Sequence, residues 1–214
     1  MIAGVHDLWL FVVTVFVLNA TPGVDMMITA SRTLQYGLRG GLATALGVNA
    51  GCIVHTLAAA FGLAALLSAS ATAFALVKWV GAGYLLWLAV GMLRGAAAGS
   101  AAVPATARPE VAAGGVALFR QGLFTNVLNP KIALFFLALL PQFIDAHASN
   151  KTTAFLLLGA VMVAQSTLFL VAFVGAVSHL RRLKPWPWAR RGAQGAGGLV
   201  LLFLSTRLAL TQRP

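Results

Sequence analysis

The sequence predicts an all-α polytopic membrane protein with six transmembrane helices, arranged as two three-helix halves in inverted orientation. Three observations support this fold class. The 214-residue chain is 60% hydrophobic and only 9% charged, whereas about a quarter of the residues in a soluble domain are charged. Several apolar runs reach the roughly 20 residues that a helix needs to cross a bilayer. The basic residues gather in alternate connections between these runs, which is typical of a chain that crosses the membrane repeatedly.

Two of the six predicted spans contain a proline among polar residues. Proline removes a backbone donor and clashes with the preceding helical turn, so the first span is expected to break at Pro22 and the fourth near Pro130. Broken backbone is tolerated in hydrocarbon only where protein or a water-filled cavity surrounds it. The predicted spans cover residues 8–30, 40–67, 72–93, 116–143, 152–177 and 195–210.

The positive charges lie after the first, third and fifth spans. Because basic residues stay in the cytoplasm, this pattern predicts that both termini are outside and that three basic connections contact anionic lipid inside. The formal charge of +11 is therefore interpreted as an orientation signal, and no nucleic-acid partner is predicted. The N-terminus lacks the basic start of a secretory signal peptide. The basic positions are Arg32, Arg39, Arg94, Arg108, Arg120, Arg181, Arg182, Lys184, Arg190 and Arg191.

The chain divides into a first half (residues 1–94), an Ala-, Gly- and Pro-rich cytoplasmic linker (95–115) and a second half (116–214). Three spans in each half make the halves face opposite ways. Each half opens with a proline-interrupted span, and paired broken spans indicate a transporter site at the interface between repeats. Both breaks are expected toward the cytoplasmic side.

Asp25 is the only carboxylate in the strongly apolar parts of the chain. One interpretation is a cap for the helix that starts after Pro22 and Gly23. The other is a binding site for a cation or a proton, because an ionisable group at this depth is costly and is a functional-site hypothesis by default. The functional interpretation is preferred, with capping as a compatible second role.

Lys131 allows two interpretations as well. Its stem can extend so that the ammonium reaches the cytoplasmic headgroups, or the ammonium can contact an anion or Asp25. The polar residues beside the breaks are expected to satisfy backbone groups that proline frees, and their clustering favours a cavity that some of them line. These residues are Asn19, Thr21, Asn126 and Asn129.

The second predicted span carries small residues four apart, which predicts close helix packing on the face that includes Gly47 and Gly51. His55 lies on this face. An interhelical hydrogen bond is the more common role for such a residue, and a proton relay is the alternative. Cys52 lies three residues before His55, but two ligands are a weak metal signal, and neither a metal site nor a cofactor is predicted.

Motifs of the common enzymes are missing. The sequence has no Walker loop, no HExxH and no Gly-x-Ser-x-Gly. We therefore expect no enzymatic activity, and transport would have to be driven by a gradient. The single cysteine excludes an intrachain disulfide.

Several motifs together resemble a known family. They are Asn19-Ala-Thr-Pro-Gly-Val-Asp25, Ser31-Arg32, Tyr36-Gly-Leu-Arg-Gly-Gly-Leu-Ala-Thr-Ala-Leu-Gly47, Phe119-Arg-Gln-Gly-Leu-Phe-Thr-Asn-Val-Leu-Asn-Pro-Lys131 and Phe135-Phe-Leu-Ala-Leu-Leu-Pro-Gln-Phe143. The chain is similar to the LysE/RhtB family of amino-acid exporters, apart from the linker and the C-terminal end. The family usually reads Thr-Pro-Gly-Pro-Asp, and Val24 replaces its second proline here.

The resemblance implies export of amino acids or related small metabolites across the bacterial inner membrane by proton motive force. It implies roles for the matched positions Asp25, Asn129, Pro130 and Lys131. A neutral amino acid is favoured as substrate, with its ammonium at Asp25 and its carboxylate at Lys131 or at the N-terminus of a half-helix. A homo-oligomer is left open. The alternatives are a divalent-metal exporter, in which Asp25, Cys52 and His55 converge, and a non-transporting assembly protein without a polar cavity.

Overall fold

The computed structural model describes residues 4–65, 114–145 and 148–180, together with isolated positions between 72 and 94 and residues 202 and 206. The long described elements are helices: α1 (Leu8–Ala20), α2 (Val24–Ala58), α3 (Gly115–Val127), α4 (Pro130–Leu134) and α5 (Lys151–Leu180). A π-helical turn, Ala59–Leu63, continues α2, and the segments Phe135–Leu139 and Leu140–Phe143 continue α4. The predicted spans 72–93 and 195–210 and most of the linker lie outside the continuously described residues.

Both predicted proline breaks are confirmed. Helix α1 ends at Ala20, Thr21 is extended, and α2 starts again at Val24. Helix α3 ends at Val127, and the helical segment that starts at Pro130 is inclined to it by 47°. The prolines cause both interruptions because the helix loses one donor and the ring displaces the preceding turn.

Helix α2 folds back on itself at Gly37. This residue has φ 72° and ψ −164°, a conformation that favours glycine because a side chain would clash there. Asn126 donates a hydrogen bond to Asp25, and its side chain also lies against Gly51, although Asp25 and Gly51 would be about 40 Å apart along a straight helix. The helix therefore consists of two antiparallel arms, residues 24–36 and 38–58. The boundary predicted for the first span was wrong, since the helix continues past residue 30 and only Gly37 turns the chain.

Glycines bring the second arm of α2 into backbone contact with α3. A Cβ atom on Gly47 would collide with the carbonyl oxygen of Phe119, and one on Gly122 would collide with that of Thr44. Gly51 lies in the same way against the side chain of Asn126. The expected close packing of this face is confirmed, and it places Asn126 in the interior of the protein.

The contacts between helices bring the turn at Gly37, the start of α3 and the C-terminal end of α5 to one end of the described structure. Gly47 lies beside Phe119 and Gly51 beside Asn126, so the second arm of α2 and α3 run parallel. Gly41 lies beside Val174, near the C-terminal end of α5, so that end approaches the turn at Gly37. The start of α3 is at this end too, and all three points adjoin segments that the sequence predicts to be basic.

The opposite end is closed by the N-terminal segment. Val5 forms a bridge with Ile144, and the Asp145 amide donates to the carbonyl oxygen of Gly4 at 2.8 Å. Below this contact, Phe11 packs against Phe143 with ring centroids 5.2 Å apart. Helix α1 is thereby fixed to the second half of the chain at this end.

The described helices include spans suited to a membrane. Val24–Leu63, which turns back at Gly37, and Lys151–His179 each contain a segment long and apolar enough to cross one, and Gly115–Val127 with Pro130–Phe143 would make a third if the bent pair counts as one span. Large apolar side chains such as Trp9 and Leu168 are exposed, as expected for a surface that faces lipid. The described part of the chain is thus a helical membrane protein.

Candidate functional site

The two proline breaks meet through Lys131. Its ammonium donates to the carbonyl oxygen of Leu18 at 2.8 Å and to that of Thr21 at 3.0 Å. In an uninterrupted helix, the carbonyl of Leu18 would accept from the amide of residue 22, but Pro22 has no N–H. Lys131 therefore supplies the donor that Pro22 removes, and its charge suits the C-terminal end of α1. The interpretation in which Lys131 extends to the headgroups was wrong.

His55 has the corresponding role at the second break. Pro130 leaves the carbonyl oxygen of Asn126 without its usual helical donor, and His55 Nε2 lies 3.2 Å from that oxygen. The amide of Asn129 reaches the same oxygen at 3.0 Å. The His55 ring is stacked on Phe136 with centroids 5.5 Å apart. The expected interhelical hydrogen bond is present, and the proton relay remains a prediction.

Asp25 faces the second break across the interior. Its Oδ2 accepts from the Asn126 side-chain amide at 2.9 Å. Its Oδ1 is buried and has no hydrogen-bond partner within the part of the chain that the structure describes. Asp25 lies in the first turn of α2, where a negative charge is stabilised by the helix dipole, but its side chain points toward Asn126.

The other predicted residues divide between backbone support and the cavity. Asn129 Oδ1 accepts from the Lys131 amide at 3.0 Å and caps α4, a role that asparagine commonly has. The Thr21 hydroxyl donates to the carbonyl oxygen of Val17 at 2.6 Å. A Cβ atom on Gly23 would make only ordinary contacts, so space alone does not require glycine there.

A cavity of about 30 Å³ lies where the breaks meet. A water molecule needs at least about 10–15 Å³, so the cavity has room for roughly two. Asp25 and Lys131 contribute one negative and one positive charge, and they form no direct ion pair in the described structure. The predicted residues that line the cavity are Asn19, Thr21, Gly23, Asp25, Asn126, Asn129 and Lys131.

Sequence reasoning missed several residues of the cavity wall. Ser166 of α5 donates through its hydroxyl to Asn19 Oδ1 at 3.0 Å and is only 2% exposed. Its neighbour Gln165, which stands out as a polar residue in an apolar span, donates instead to the carbonyl oxygen of Val12 at 2.9 Å. A lone serine in an apolar helix gives little signal of its own. The remaining lining residues are Leu18, Met26, Val48, Cys52, Ile132 and Leu170.

Three buried polar atoms around the cavity have no hydrogen-bond partner among the described residues: Asn19 Nδ2, Asp25 Oδ1 and Asn126 Oδ1. Buried polar groups are almost always paired, so each exception needs an explanation. Here one donor and two acceptors surround a space that an acidic and a basic side chain line. The arrangement can bind a small molecule that carries both a cationic donor and an anionic acceptor.

The structure does not favour the metal site of the alternative interpretation. Among the described residues, no group of three or more His, Cys, Asp or Glu side chains is placed to hold a metal ion. Cys52 is buried, and His55 is directed at a carbonyl oxygen. Asp25, Cys52 and His55 therefore do not converge as that alternative required.

Broken helices that meet at a polar cavity are the construction of membrane transporters, and comparison with known proteins leads to the same class. The family model described as LysE type translocator matches residues 16–212. The chain belongs to this family, which confirms the resemblance read from the proline motifs.

The relatives are similar over nearly their full length. The chain is 29% identical over 202 residues to a homoserine/homoserine lactone efflux protein of Salmonella typhimurium, covering 93% of this chain and 94% of the relative. It is 29% identical over 214 residues to a leucine efflux protein of Enterobacter sp., covering 96% of each. It is 33% identical over 175 residues to an uncharacterized membrane protein of Vibrio cholerae, covering 81% and 82%. No solved structure matches the chain.

Proposed function

We propose that this protein is a secondary active exporter of neutral amino acids or related small metabolites, driven by proton motive force across the bacterial inner membrane. The observation that carries the proposal is that Asp25 and Lys131 line the same cavity between the two breaks, and that one oxygen of Asp25 has no partner among the described residues. The relatives named for homoserine and leucine efflux support an amino-acid substrate.

The charges of the cavity favour a neutral zwitterion. One carboxylate and one ammonium give no net charge, so a substrate with one ammonium and one carboxylate leaves no buried charge unpaired. A dibasic amino acid would add a cation with no second carboxylate to receive it. The apolar lining residues, among them Met26, Val48 and Leu170, suit an aliphatic side chain.

Asp25 also provides a simple coupling scheme. Ionised Asp25 binds the substrate ammonium when the site opens to the cytoplasm. After the site opens outward, a proton from outside binds the carboxylate and displaces the substrate. The protein then returns, and Asp25 releases the proton inside. One carboxyl group thus exchanges one proton for one substrate, because the two cannot occupy it together.

Substrate binding requires the breaks to separate. A cavity for about two water molecules has no room for an amino acid. The bonds from Lys131 to Leu18 and Thr21 join the second break to the first. Their lengthening would enlarge the cavity without unfolding either helix, so we assign the opening motion to this junction.

The proposed architecture keeps six spans in two inverted halves, with both termini outside. The described contacts support it, since the turn at Gly37 and the ends of α3 and α5 that adjoin basic segments lie together. The assembly-protein alternative predicted no polar cavity between the breaks, and such a cavity is present. The metal-exporter alternative lacks its ligand cluster in the described residues.

The test is efflux from proteoliposomes loaded with leucine, homoserine or lysine, with an imposed pH gradient. We expect the gradient to accelerate export of the two neutral amino acids and to leave lysine unaffected. The Asp25→Asn variant should insert and fold but lose proton-driven export. Asp7→Asn is the matched control, since Asp7 lies outside the cavity at the start of α1, 3.5 Å from His6. Normal export by Asp25→Asn would exclude the coupling scheme.

A further inference from the structure

We infer that Asn19, held by Ser166, binds the carboxylate of the substrate and sets the preference for molecules that carry one. This inference rests on the proposed function, and it assigns the residue that binds the anionic end of the substrate in the same site. It differs from the expectation that the carboxylate lies at Lys131 or at the N-terminus of a half-helix.

The unpartnered atoms of the cavity match the hydrogen-bonding groups of an amino acid. Asp25 Oδ1 and Asn126 Oδ1 are acceptors, as an ammonium requires, and Asn19 Nδ2 is a donor, as a carboxylate requires. All three residues line the same cavity. Because a buried donor or acceptor without a partner is costly, a ligand that satisfies all of them gains affinity from each.

The Lys131 ammonium has little hydrogen-bonding capacity left for a substrate. An ammonium has three N–H donors, and Lys131 uses two of them on the carbonyl oxygens of Leu18 and Thr21. Its charge still attracts a carboxylate, but most of its directional bonding is committed to the break. Asn19 lies in the sequence between those two carbonyls, and its Nδ2 keeps both N–H donors unused among the described residues.

Ser166 orients the amide of Asn19. Its hydroxyl donates to Asn19 Oδ1 at 3.0 Å, which fixes the amide so that Nδ2 is the group left over. A second bond, from Gln165 to the carbonyl oxygen of Val12, also joins α5 to α1. Ser166 is thus a positioning residue, and Asn19 is the residue that touches the substrate.

The experiment compares leucine with isoamylamine, which is leucine without its carboxylate. Each is tested as an inhibitor of radiolabelled leucine exchange in proteoliposomes, with the wild type and the variants Asn19→Ala and Ser166→Ala. We expect about tenfold or greater loss of apparent affinity for leucine in Asn19→Ala, as for a lost hydrogen bond to a charged group. Ser166→Ala should lose somewhat less, and inhibition by isoamylamine should change less than twofold in both variants.

Thr167→Val is the matched control. Thr167 follows Ser166 on α5, and among the described residues its hydroxyl bonds to the carbonyl oxygen of Val163 one turn earlier. This variant should retain wild-type inhibition by both compounds. Thermal unfolding of each variant in detergent shows whether the fold is retained. The Asn19→Asp variant keeps the size of the side chain but repels a carboxylate, so it should weaken leucine binding further than Asn19→Ala does.

The outcomes separate this inference from the proposed function. If the wild type exchanges no amino acid, the proposed function fails and the inference with it. If the wild type exchanges leucine but Asn19→Ala weakens both inhibitors equally, Asn19 and Ser166 only hold the helices together, and the inference is overturned. It is also overturned if leucine affinity is unchanged in both variants.

Discussion

The ammonium of Lys131 lies 2.8 Å from the carbonyl oxygen of Leu18, which is the carbonyl that Pro22 deprives of its helical donor. A side chain from one half of the protein thereby completes a helix end in the other half. His55 and the carbonyl oxygen of Asn126 repeat this relationship at the second break, at 3.2 Å. Each interruption is stabilised by a donor from a different helix, so the breaks can persist in an apolar environment.

Lys131→Met is expected to destabilise the fold, because two carbonyl oxygens lose a charged donor. An unsatisfied buried polar group costs about 1–3 kcal/mol, so unfolding in detergent should occur at a clearly lower temperature. Lys151→Met is the control, since Lys151 lies at the start of α5 and outside the cavity. An unchanged unfolding temperature for Lys131→Met would contradict the role assigned to the ammonium.

His55→Phe should destabilise the second break, whereas His55→Gln should be tolerated. Phenylalanine keeps the stacking on Phe136 but removes the donor to the Asn126 carbonyl, at a cost of about 1–3 kcal/mol. Glutamine retains an N–H donor. Nε2 donates a hydrogen bond both in charged histidine and in the neutral form that carries its proton on Nε2. The bond to the Asn126 carbonyl therefore does not require histidine to be charged.

The same variants decide between a hydrogen bond and a proton relay. If His55 acts only as a donor, His55→Gln should export leucine with the same dependence on the pH gradient as the wild type. Loss of that dependence, with leucine export and folding otherwise retained, would favour the relay.

Gly122→Ala should separate α3 from the second arm of α2, because the new Cβ collides with the carbonyl oxygen of Thr44. Backbone at this position cannot move away as a flexible side chain would, so the unfolding temperature should fall. Gly175→Ala is the control on α5, where an added Cβ meets nothing within 4 Å. It should be neutral or stabilising by up to about 1 kcal/mol, as expected from helix propensity.

The predicted orientation can be tested by cysteine labelling. Gln35 is exposed beside the turn at Gly37, and Ser149 is exposed just before α5. The native Cys52 is buried, so a membrane-impermeant maleimide should report mainly on an introduced thiol. Gln35→Cys is expected to react from the cytoplasmic side in inverted vesicles, and Ser149→Cys from the outside of intact cells. Labelling of both residues from one side would contradict the topology.

The composition of the segments and a few single residues determined the fold class, the helix breaks and the family of this protein. Low charge and long apolar runs made it a helical membrane protein, Pro22 and Pro130 interrupted their helices, and the motif around Asp25 indicated the family. These effects depend on the composition of a segment or on one residue and its own helical turn, so they can be read without knowledge of the neighbours.

Only the tertiary structure decided which groups meet at the breaks. Lys131 was compatible with lipid headgroups, an anion or Asp25, and it binds carbonyls more than a hundred positions away in the chain. Nothing in the sequence distinguished Ser166, because its contact with Asn19 arises only when α5 packs beside α1. The partner of a freed carbonyl depends on which distant helix packs beside it. At the second break, that packing joins α2 to α3 through Gly47, Gly51 and Gly122, so no single segment determines it.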